Sequence, residues 1–160
     1  MQILRSLLLL ALGAFSATAV AQRALVPIVD YKDVSIATSS GKPVSAEQVR
    51  EAIIAAGKRL NWQMGITADG SLVGTLVVNN KHTISVDISV APDKYSVKYR
   101  SSINMKYTTA QQEKGNFRDG TAAGPFDSRP IGPERPVIHP AYNQWVQALV
   151  SAIDAETRRL

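Results

Sequence analysis

The chain contains no cysteine, and this absence excludes several kinds of structure. No disulfide can form, so the hydrophobic core has to stabilise the fold without a covalent cross-link. No cysteine is available to carry a lipid, so we expect the mature protein to be soluble and without a lipid anchor. Zinc sites built on thiolates are excluded as well.

Histidine is scarce, with only His82 and His139 in 160 residues. Structural zinc takes four ligands, and catalytic zinc usually takes three from the protein. Without cysteine or a His-x-x-x-His pair, a metal would have to rest mostly on carboxylates. Glycine-rich loops that cradle phosphates are missing too. The sequence therefore predicts neither a metal site nor a cofactor.

Catalytic motifs are also missing. Ser102 could serve as a nucleophile with His139 as its base, but Ser102 lies in no strand–turn–helix elbow, and no Gly-x-Ser-x-Gly motif exists. Nothing marks a pair of carboxylates for glycosidic cleavage. The sequence favours a non-enzymatic binding or envelope-interaction module. The alternatives are a hydrolase that uses His139 as its base, and a small-ligand carrier.

The longest apolar run lies at the N-terminus. Arg5 precedes the apolar residues 7–14, and Ala19-Val20-Ala21 supplies the small residues that signal peptidase reads. This order predicts a signal peptide over 1–21, cleaved after Ala21. The run is shorter than the roughly 20 residues of a membrane span, and no later stretch is apolar enough. We expect export to the periplasm or the medium, with no transmembrane span after cleavage.

Long runs of one charge are absent as well. The net charge is +5, and its basic residues are scattered along the chain. No run reaches the five or six like charges that would indicate a nucleic-acid-binding tail. The composition therefore predicts no nucleic-acid partner, and it leaves an envelope protein or a small ligand as the expected partner.

The first half of the mature chain predicts an extended segment and then a helix. Residues 22–43 have no long apolar period and are expected to form an extended lead-in. Ser45 and Gln48 have the spacing of a capping box, in which each side chain bonds the other residue's backbone N–H. The helix is predicted over 46–60. Its apolar residues recur at helical spacing: Val49, Ala52, Ile53, Ala56 and Leu60.

Four strands are predicted next, over 61–67, 72–78, 83–90 and 95–100, and the fourth runs on to Tyr107. Three short turns connect them, which predicts an antiparallel meander. The outward residues of the last two strands are polar, so one face of the sheet should meet water while two helices cover the other. That polar face carries Ser85, Asp87, Lys98 and Arg100.

The last part of the chain predicts an insertion and a closing helix. Residues 108–137 contain four glycines and four prolines and few large apolar residues, which is typical of a long, mobile insertion. Pro140 suits a first helical turn. The apolar face that follows is Tyr142, Trp145, Val146, Leu149, Ala152 and Ile153. We therefore predict one α+β domain over 44–160: a two-layer sandwich of order α-β-β-β-β-α, with a four-stranded meander and both helices on one face.

Six polar residues gather where the insertion begins and ends. They are Ser102, Asn104 and Tyr107 at the end of the fourth strand, and His139, Tyr142 and Asn143 at the start of the closing helix. One interpretation is structural, because a helix start has unpaired N–H groups that neighbouring polar side chains can satisfy, with His139 as the N-cap. The other is a small polar pocket that binds a ligand or a peptide end.

These residues also carry a resemblance. The motifs are Ser102-x-Asn104-Met105-x-Tyr107 and Ile138-His139-x-x-Tyr142-Asn143-x-Trp145-Val146. Together with the helix and strands before them, over roughly 44–107 and 138–155, they resemble a family of small exported proteobacterial proteins of unknown function, many of them described as lipoproteins. The resemblance implies export and a compact α+β domain, and no catalytic residues. This chain differs in lacking the lipobox cysteine and in its longer gap between the motifs.

Overall fold

A computed structural model describes residues 24–110 and 135–160. The predicted signal peptide over 1–21 and most of the predicted insertion lie outside the described residues. Within them the chain forms eight strands and two helices. In chain order these are β1 (Val26–Pro27), β2 (Tyr31–Ser35), α1 (Ala46–Arg59), β3 (Gln63–Ile66), β4 (Leu72–Val78), β5 (His82–Val90), β6 (Lys94–Ile103), β7 (Thr108–Ala110), β8 (Arg135–Ile138) and α2 (Ala141–Thr157).

The predicted capping box begins helix α1. The N–H of Gln48 donates to the Ser45 hydroxyl at 3.2 Å, and the N–H of Ser45 donates to Gln48 Oε1 at 2.9 Å. Two of the N–H groups that a helix start leaves unpaired are thereby satisfied. The helix ends one residue earlier than predicted, with Leu60 as its C-cap.

The main sheet has five strands, in the order β2-β6-β5-β4-β3. The predicted α+β class is confirmed, but the four-stranded meander is wrong, because part of the lead-in over 22–43 adds the edge strand β2. Tyr31 pairs with Val97 and Val34 pairs with Tyr95, and the register shifts between these two pairs. The shift breaks the two-residue alternation by which a strand is recognised, so the sequence did not reveal it.

A second, three-stranded antiparallel sheet has the order β1-β8-β7. It makes the predicted layout of one sheet with both helices on one face wrong as well. Strand β7 and all but the last residue of β8 fall within 108–137, which we expected to lack regular structure, and Thr108 pairs with Val137. Strands of two to four residues are too short to show a period, so composition alone predicted a loop here.

One hydrophobic core joins both helices to the five-stranded sheet. Buried side chains of α1 and α2 recur at steps of three and four, and those of the strands recur at steps of two. The fully or almost fully buried members include Val49, Ile53, Ala56, Leu72, Leu76, Ile84, Val86, Ile88, Tyr95, Val97, Tyr142, Val146, Leu149 and Ile153.

Glycine allows α1 and the sheet to approach closely around one methionine. A Cβ on Gly57 would lie 2.5 Å from Met64 Sδ, and a Cβ on Gly74 would lie 3.4 Å from the same atom. Met64 and Gly74 are cross-strand partners. Gly57 lowers the helix propensity of α1 by up to about 1 kcal/mol, and this contact explains its presence.

Candidate binding surface

One face of the five-stranded sheet is open to solvent. Along β5, Ile84, Val86 and Ile88 are buried, whereas the residues between them are at least partly exposed. On β6, Lys98 and Arg100 are exposed. The structure therefore places the polar face where the alternation predicted it.

A β-bulge sets the direction of Arg100. Ser85 pairs with Ser101 and Val86 pairs with Tyr99, so Arg100 is left without a partner on β5. A bulge of this kind bends the strand and re-aims a side chain. Arg100 Nη1 donates to Asp87 Oδ1 at 2.6 Å, and both side chains are about half-exposed, at 52% and 47%. Because water screens such a pair, we expect it to orient the groups more than it stabilises the fold.

The turn between β3 and β4 forms the neighbouring edge of this face. The N–H of Thr67 donates to Ser71 O at 2.8 Å, and the N–H of Gly70 donates to Thr67 O at 3.0 Å. Gly70 has a φ of +81°, which glycine adopts without strain. Arg50 Nε donates to Gly70 O at 3.1 Å, so α1 fixes the position of the turn.

Asp69 is the charged residue of that turn. Its carboxylate accepts hydrogen bonds from the Thr67 hydroxyl, from the Ser71 N–H at 3.3 Å and from the Ser71 hydroxyl at 3.1 Å. Since these bonds favour the charged form, the Thr67 hydroxyl first, and then the two Ser71 donors, lower the pKa of Asp69 from its usual value. Asp69 therefore presents a fixed negative charge at neutral pH.

The β3–β4 turn forms a groove of about 290 Å³ together with strands β5 and β6. We name it the charged groove, because two carboxylates and two cationic side chains line it. Its volume lies at the lower end of the range for ligand pockets, about 300–1,000 Å³. The lining residues are Thr67, Asp69, Ser71, Asp87, Ile88, Ser89, Lys98 and Arg100.

Asn104, one of the six predicted site residues, serves the backbone. It follows β6 with a φ of +59°. Its Nδ2 donates to Lys81 O at 2.7 Å, and its own carbonyl accepts from His82 Nδ1 at 2.9 Å. Asn104 thereby ties the end of β6 to the turn between β4 and β5.

His139 satisfies the start of α2. Its Nδ1 accepts from the Ala141 N–H at 3.2 Å. The N-cap residue is Pro140 and not the predicted His139. Proline has no side-chain acceptor, and the His139 ring instead accepts from the Ala141 N–H as an N-cap side chain would. The N–H of His139 donates to Met105 O at 2.9 Å, which links the helix start to the chain just after Asn104.

Asn143 holds the N-terminal part of the chain against α2. Its Oδ1 accepts from the Val29 N–H at 3.1 Å, and its Nδ2 donates to Pro27 O at 2.9 Å. Both ends of its amide therefore pair with backbone groups next to β1. These contacts direct the Asn143 amide toward the N-terminal segment and not toward Asn104 or His139.

The other three predicted residues meet around Tyr99. The hydroxyls of Tyr99 and Ser102 lie 3.0 Å apart. Tyr107 stacks on Tyr99 with ring centroids 4.9 Å apart and planes within 3°, and Tyr142 meets Tyr99 edge-on at 5.5 Å. Tyr99 was predicted only as part of a strand, and its role as the centre of this cluster was missed.

Tyr142 contributes an unpaired hydroxyl to the core. Its side chain is fully buried, and its hydroxyl has no hydrogen-bond partner among the described residues. Burial first, and then the charge of Asp30, raise the pKa of Tyr142. The hydroxyl is therefore neutral at physiological pH. A buried polar group without a partner costs stability.

We expect Tyr142→Phe to stabilise the protein by about 1 kcal/mol or more, because it removes a buried hydroxyl that has no hydrogen-bond partner among residues 24–110 and 135–160. Tyr95→Phe is the matched control, since the equally buried Tyr95 hydroxyl donates to Asp154 Oδ1 at 2.7 Å. That change is expected to lower stability by about 1–3 kcal/mol. Urea unfolding of both variants measures the two effects, and a loss of stability in Tyr142→Phe would contradict the assignment.

Asn104→Ala is expected to destabilise the fold by about 1 kcal/mol, because it removes the bond to Lys81 O and because alanine tolerates the left-handed region less well than asparagine. Asn104→Gly loses the same bond without the strain and should cost less. Chemical unfolding of the two variants separates the contributions. Equal stability of Asn104→Ala and the unchanged protein would show that this residue does not hold the fold.

Sequence reasoning missed three residues of the charged groove: Thr67, Asp69 and Ser71. The Asp-Gly pair predicted a turn between two strands, and the turn is present. Nothing in its sequence indicates that the turn lies beside Asp87 and the cationic side chains of β6. That proximity depends on the twist and register of three strands, which a linear pattern does not carry.

In the part of the chain that the structure describes, no group of three or more histidine, aspartate or glutamate side chains is placed to hold a metal ion. Neither of the two helices in that part is long and apolar enough to cross a membrane.

No protein-family model matches the chain. No curated protein and no solved structure matches it either. The resemblance to the exported proteobacterial family remains a prediction from its motifs. Function therefore has to be inferred from the geometry of this chain alone.

Proposed function

We propose that this protein is a non-enzymatic binding module of the bacterial envelope that engages its partner through the open face of the sheet. The observation that carries the proposal is the charged groove, where charged and hydroxyl side chains remain accessible. By contrast, the polar side chains of Asn104, His139 and Asn143 bond backbone groups. The side chains of Lys98 and Arg100 are exposed and that of Asp87 is about half-exposed, so these charged groups are available to a partner.

The hydrogen bonding of His139 supports this role over a hydrolase that uses this residue as its base. A neutral imidazole has one N–H and one lone pair. Since Nδ1 accepts from the Ala141 N–H, its lone pair is engaged and the ring proton lies on Nε2. No lone pair is then left to take a proton from a nucleophile, and the Ser102 hydroxyl bonds Tyr99.

A small-ligand carrier with its site around Asn104 and His139 has less support. Tyr142 is fully buried and packs edge-on against Tyr99, and Tyr107 stacks on the Tyr99 ring. The amide of Asn104 and the imidazole of His139, which such a site would use, already have backbone partners. A ligand at this end would have to displace bonds that hold the start of α2.

The export part of the proposal rests on the sequence. Residues 1–21 have the charged start, apolar run and small-residue cleavage site of a signal peptide. The resemblance to small exported proteobacterial proteins supports the same location. With no cysteine at the cleavage site, we propose a mature form that is free in the periplasm.

Photo-crosslinking from chosen positions tests the binding surface. A photoreactive amino acid replaces Ser101, which is exposed on the open face, or Glu51, which is exposed on α1. Both forms are expressed with the full leader, and crosslinked species are recovered from the envelope fraction. We expect a discrete adduct from position 101 and none from position 51. Equal adducts from both positions, or none from either, would overturn the proposal.

A further inference from the structure

We propose that the charged groove binds a zwitterionic ligand of the size of an amino acid or a dipeptide. The ligand's ammonium group would face Asp69 and Asp87, and its carboxylate would face Lys98 and Arg100. This inference rests on the proposed function and adds the chemical class of the ligand. It stands on the arrangement of charge in the groove, on unused hydrogen-bonding capacity and on size.

Both signs of charge are built into neighbouring positions. Asp87 and Lys98 are cross-strand partners, so a carboxylate and an ammonium group lie side by side on the open face. The bulge adds Arg100 beside Asp87, and the β3–β4 turn adds Asp69 from the other edge. The groove thus contains two negative and two positive groups, with no net charge.

A ligand of one sign would fit this arrangement poorly. An anion that contacts Lys98 or Arg100 would also lie near Asp87 and Asp69, and like charges placed together oppose binding. A cation would meet the reverse problem. A neutral polyol could hydrogen-bond the four charged groups but would neutralise none of them. A zwitterion compensates both signs at once.

The charged groups keep hydrogen-bonding capacity for a ligand. A carboxylate offers about four acceptor positions, and the turn hydroxyls and N–H fill three of those of Asp69. A guanidinium has about five donors, and Arg100 uses Nη1 for Asp87. Ser89 also lines the groove, and its hydroxyl can bond an amide or a second carboxylate oxygen. The Ser71 hydroxyl, which donates to Asp69, can still accept from an amide N–H.

The size of the groove limits the ligand. Its volume of about 290 Å³ is at the lower end for ligand pockets, and it is open on one side. A single amino acid or a dipeptide fits such a space, whereas a longer peptide would extend beyond the charged walls. The four charged side chains are therefore expected to bind a free amino group and a free carboxyl group that lie close together in one ligand.

Titration with L-alanyl-L-alanine tests this inference. Amide resonances in an NMR titration of the mature protein are expected to shift at the turn 67–71 and at 87–89 and 98–100. N-acetylation of the dipeptide removes its ammonium group, and amidation removes its carboxylate. Each blocked form is expected to bind at least about tenfold more weakly, since each loses charge-assisted hydrogen bonds.

A matched pair of variants identifies the cationic side. Lys98→Gln should weaken the dipeptide at least about tenfold. Lys58→Gln removes the same charge from an exposed position in α1 and should leave binding unchanged. Equal binding of all three dipeptide forms, equal binding by both variants, or no shifts in the groove would each overturn the inference.

The two proposals can fail separately. If the dipeptide does not bind but position 101 still gives a specific envelope adduct, the open face binds a partner of another chemistry. If neither result appears, the open face is not a binding surface. Dipeptide binding that leaves Lys98→Gln unaffected would place the site elsewhere on the chain.

Discussion

Leu149→Ala is expected to lower the free energy of unfolding by about 2–5 kcal/mol, the largest effect of any change proposed for this protein. Leu149 is fully buried on α2, and it belongs to the core cluster that also contains Ile53 of α1 and Ile88 of β5. Removing its side chain leaves a cavity that the surrounding core can fill only in part. Urea unfolding followed by circular dichroism measures the loss.

Gln147→Ala is the control for this prediction, because Gln147 is exposed on the same helix. A surface change of this kind is usually within about 0.5 kcal/mol of neutral. If Leu149→Ala costs no more than the control, α2 does not cover the sheet as described. A domain of this size has a total stability of about 5–15 kcal/mol, so the larger loss brings it near unfolding.

Gly74→Val is expected to cost about 1–3 kcal/mol through overpacking. A Cβ at this position would already lie 3.2 Å from Trp62 Cε3 and 3.4 Å from Val86 Cγ2. The two further methyl carbons of valine would have to displace these side chains and Met64. Trp62 and Val86 are buried, so neither can move without opening the core, whereas Met64 is only half-buried.

Gly65→Val provides the matched control on the adjacent strand. A Cβ on Gly65 would meet only the Val73 carbonyl oxygen, at 3.9 Å. Valine suits an exposed strand position, so we expect little change or a slight gain. Thermal unfolding of the two variants, compared at the same protein concentration, tests the difference. Similar melting temperatures for both would show that Gly74 is not tightly enclosed.

Long periodic segments of the fold could be predicted from the sequence. The capping box at Ser45, the bounds of β4 and the alternation of β5 all follow from local spacing, and each agrees with the structure. These segments carry enough residues for a period of two or 3.6 to stand out. Their local preference also agrees with their place in the core.

The edge strand β2 and the three-stranded sheet could not be predicted in the same way. Strands β1, β7 and β8 have two to four residues, and their pairing joins positions more than a hundred residues apart in the case of Val26 and Ile138. Such pairing is decided by tertiary contact rather than by local pattern. The register shift in β2 obscures the spacing of its two partly buried residues, Tyr31 and Val34.

The polar face could be predicted, but the roles of the six candidate residues could not. Residue type does not show whether an amide or imidazole bonds a backbone group or remains available. The backbone at Asn104 takes a positive φ, for which asparagine is a common choice and which marks a structural role only once the geometry is known. The Tyr99 cluster likewise depends on where the closing helix lies.

The central claim is that the open face binds the partner, whereas the polar residues at the start of α2 stabilise the fold. Photo-crosslinking from position 101 in two variants tests this claim most directly. Lys98→Gln/Arg100→Gln should abolish the adduct without lowering the melting temperature. Asn143→Ala should lower the melting temperature by several degrees and, below its melt, retain the adduct. Loss of the adduct in Asn143→Ala together with full capture by the double variant would contradict this division of roles.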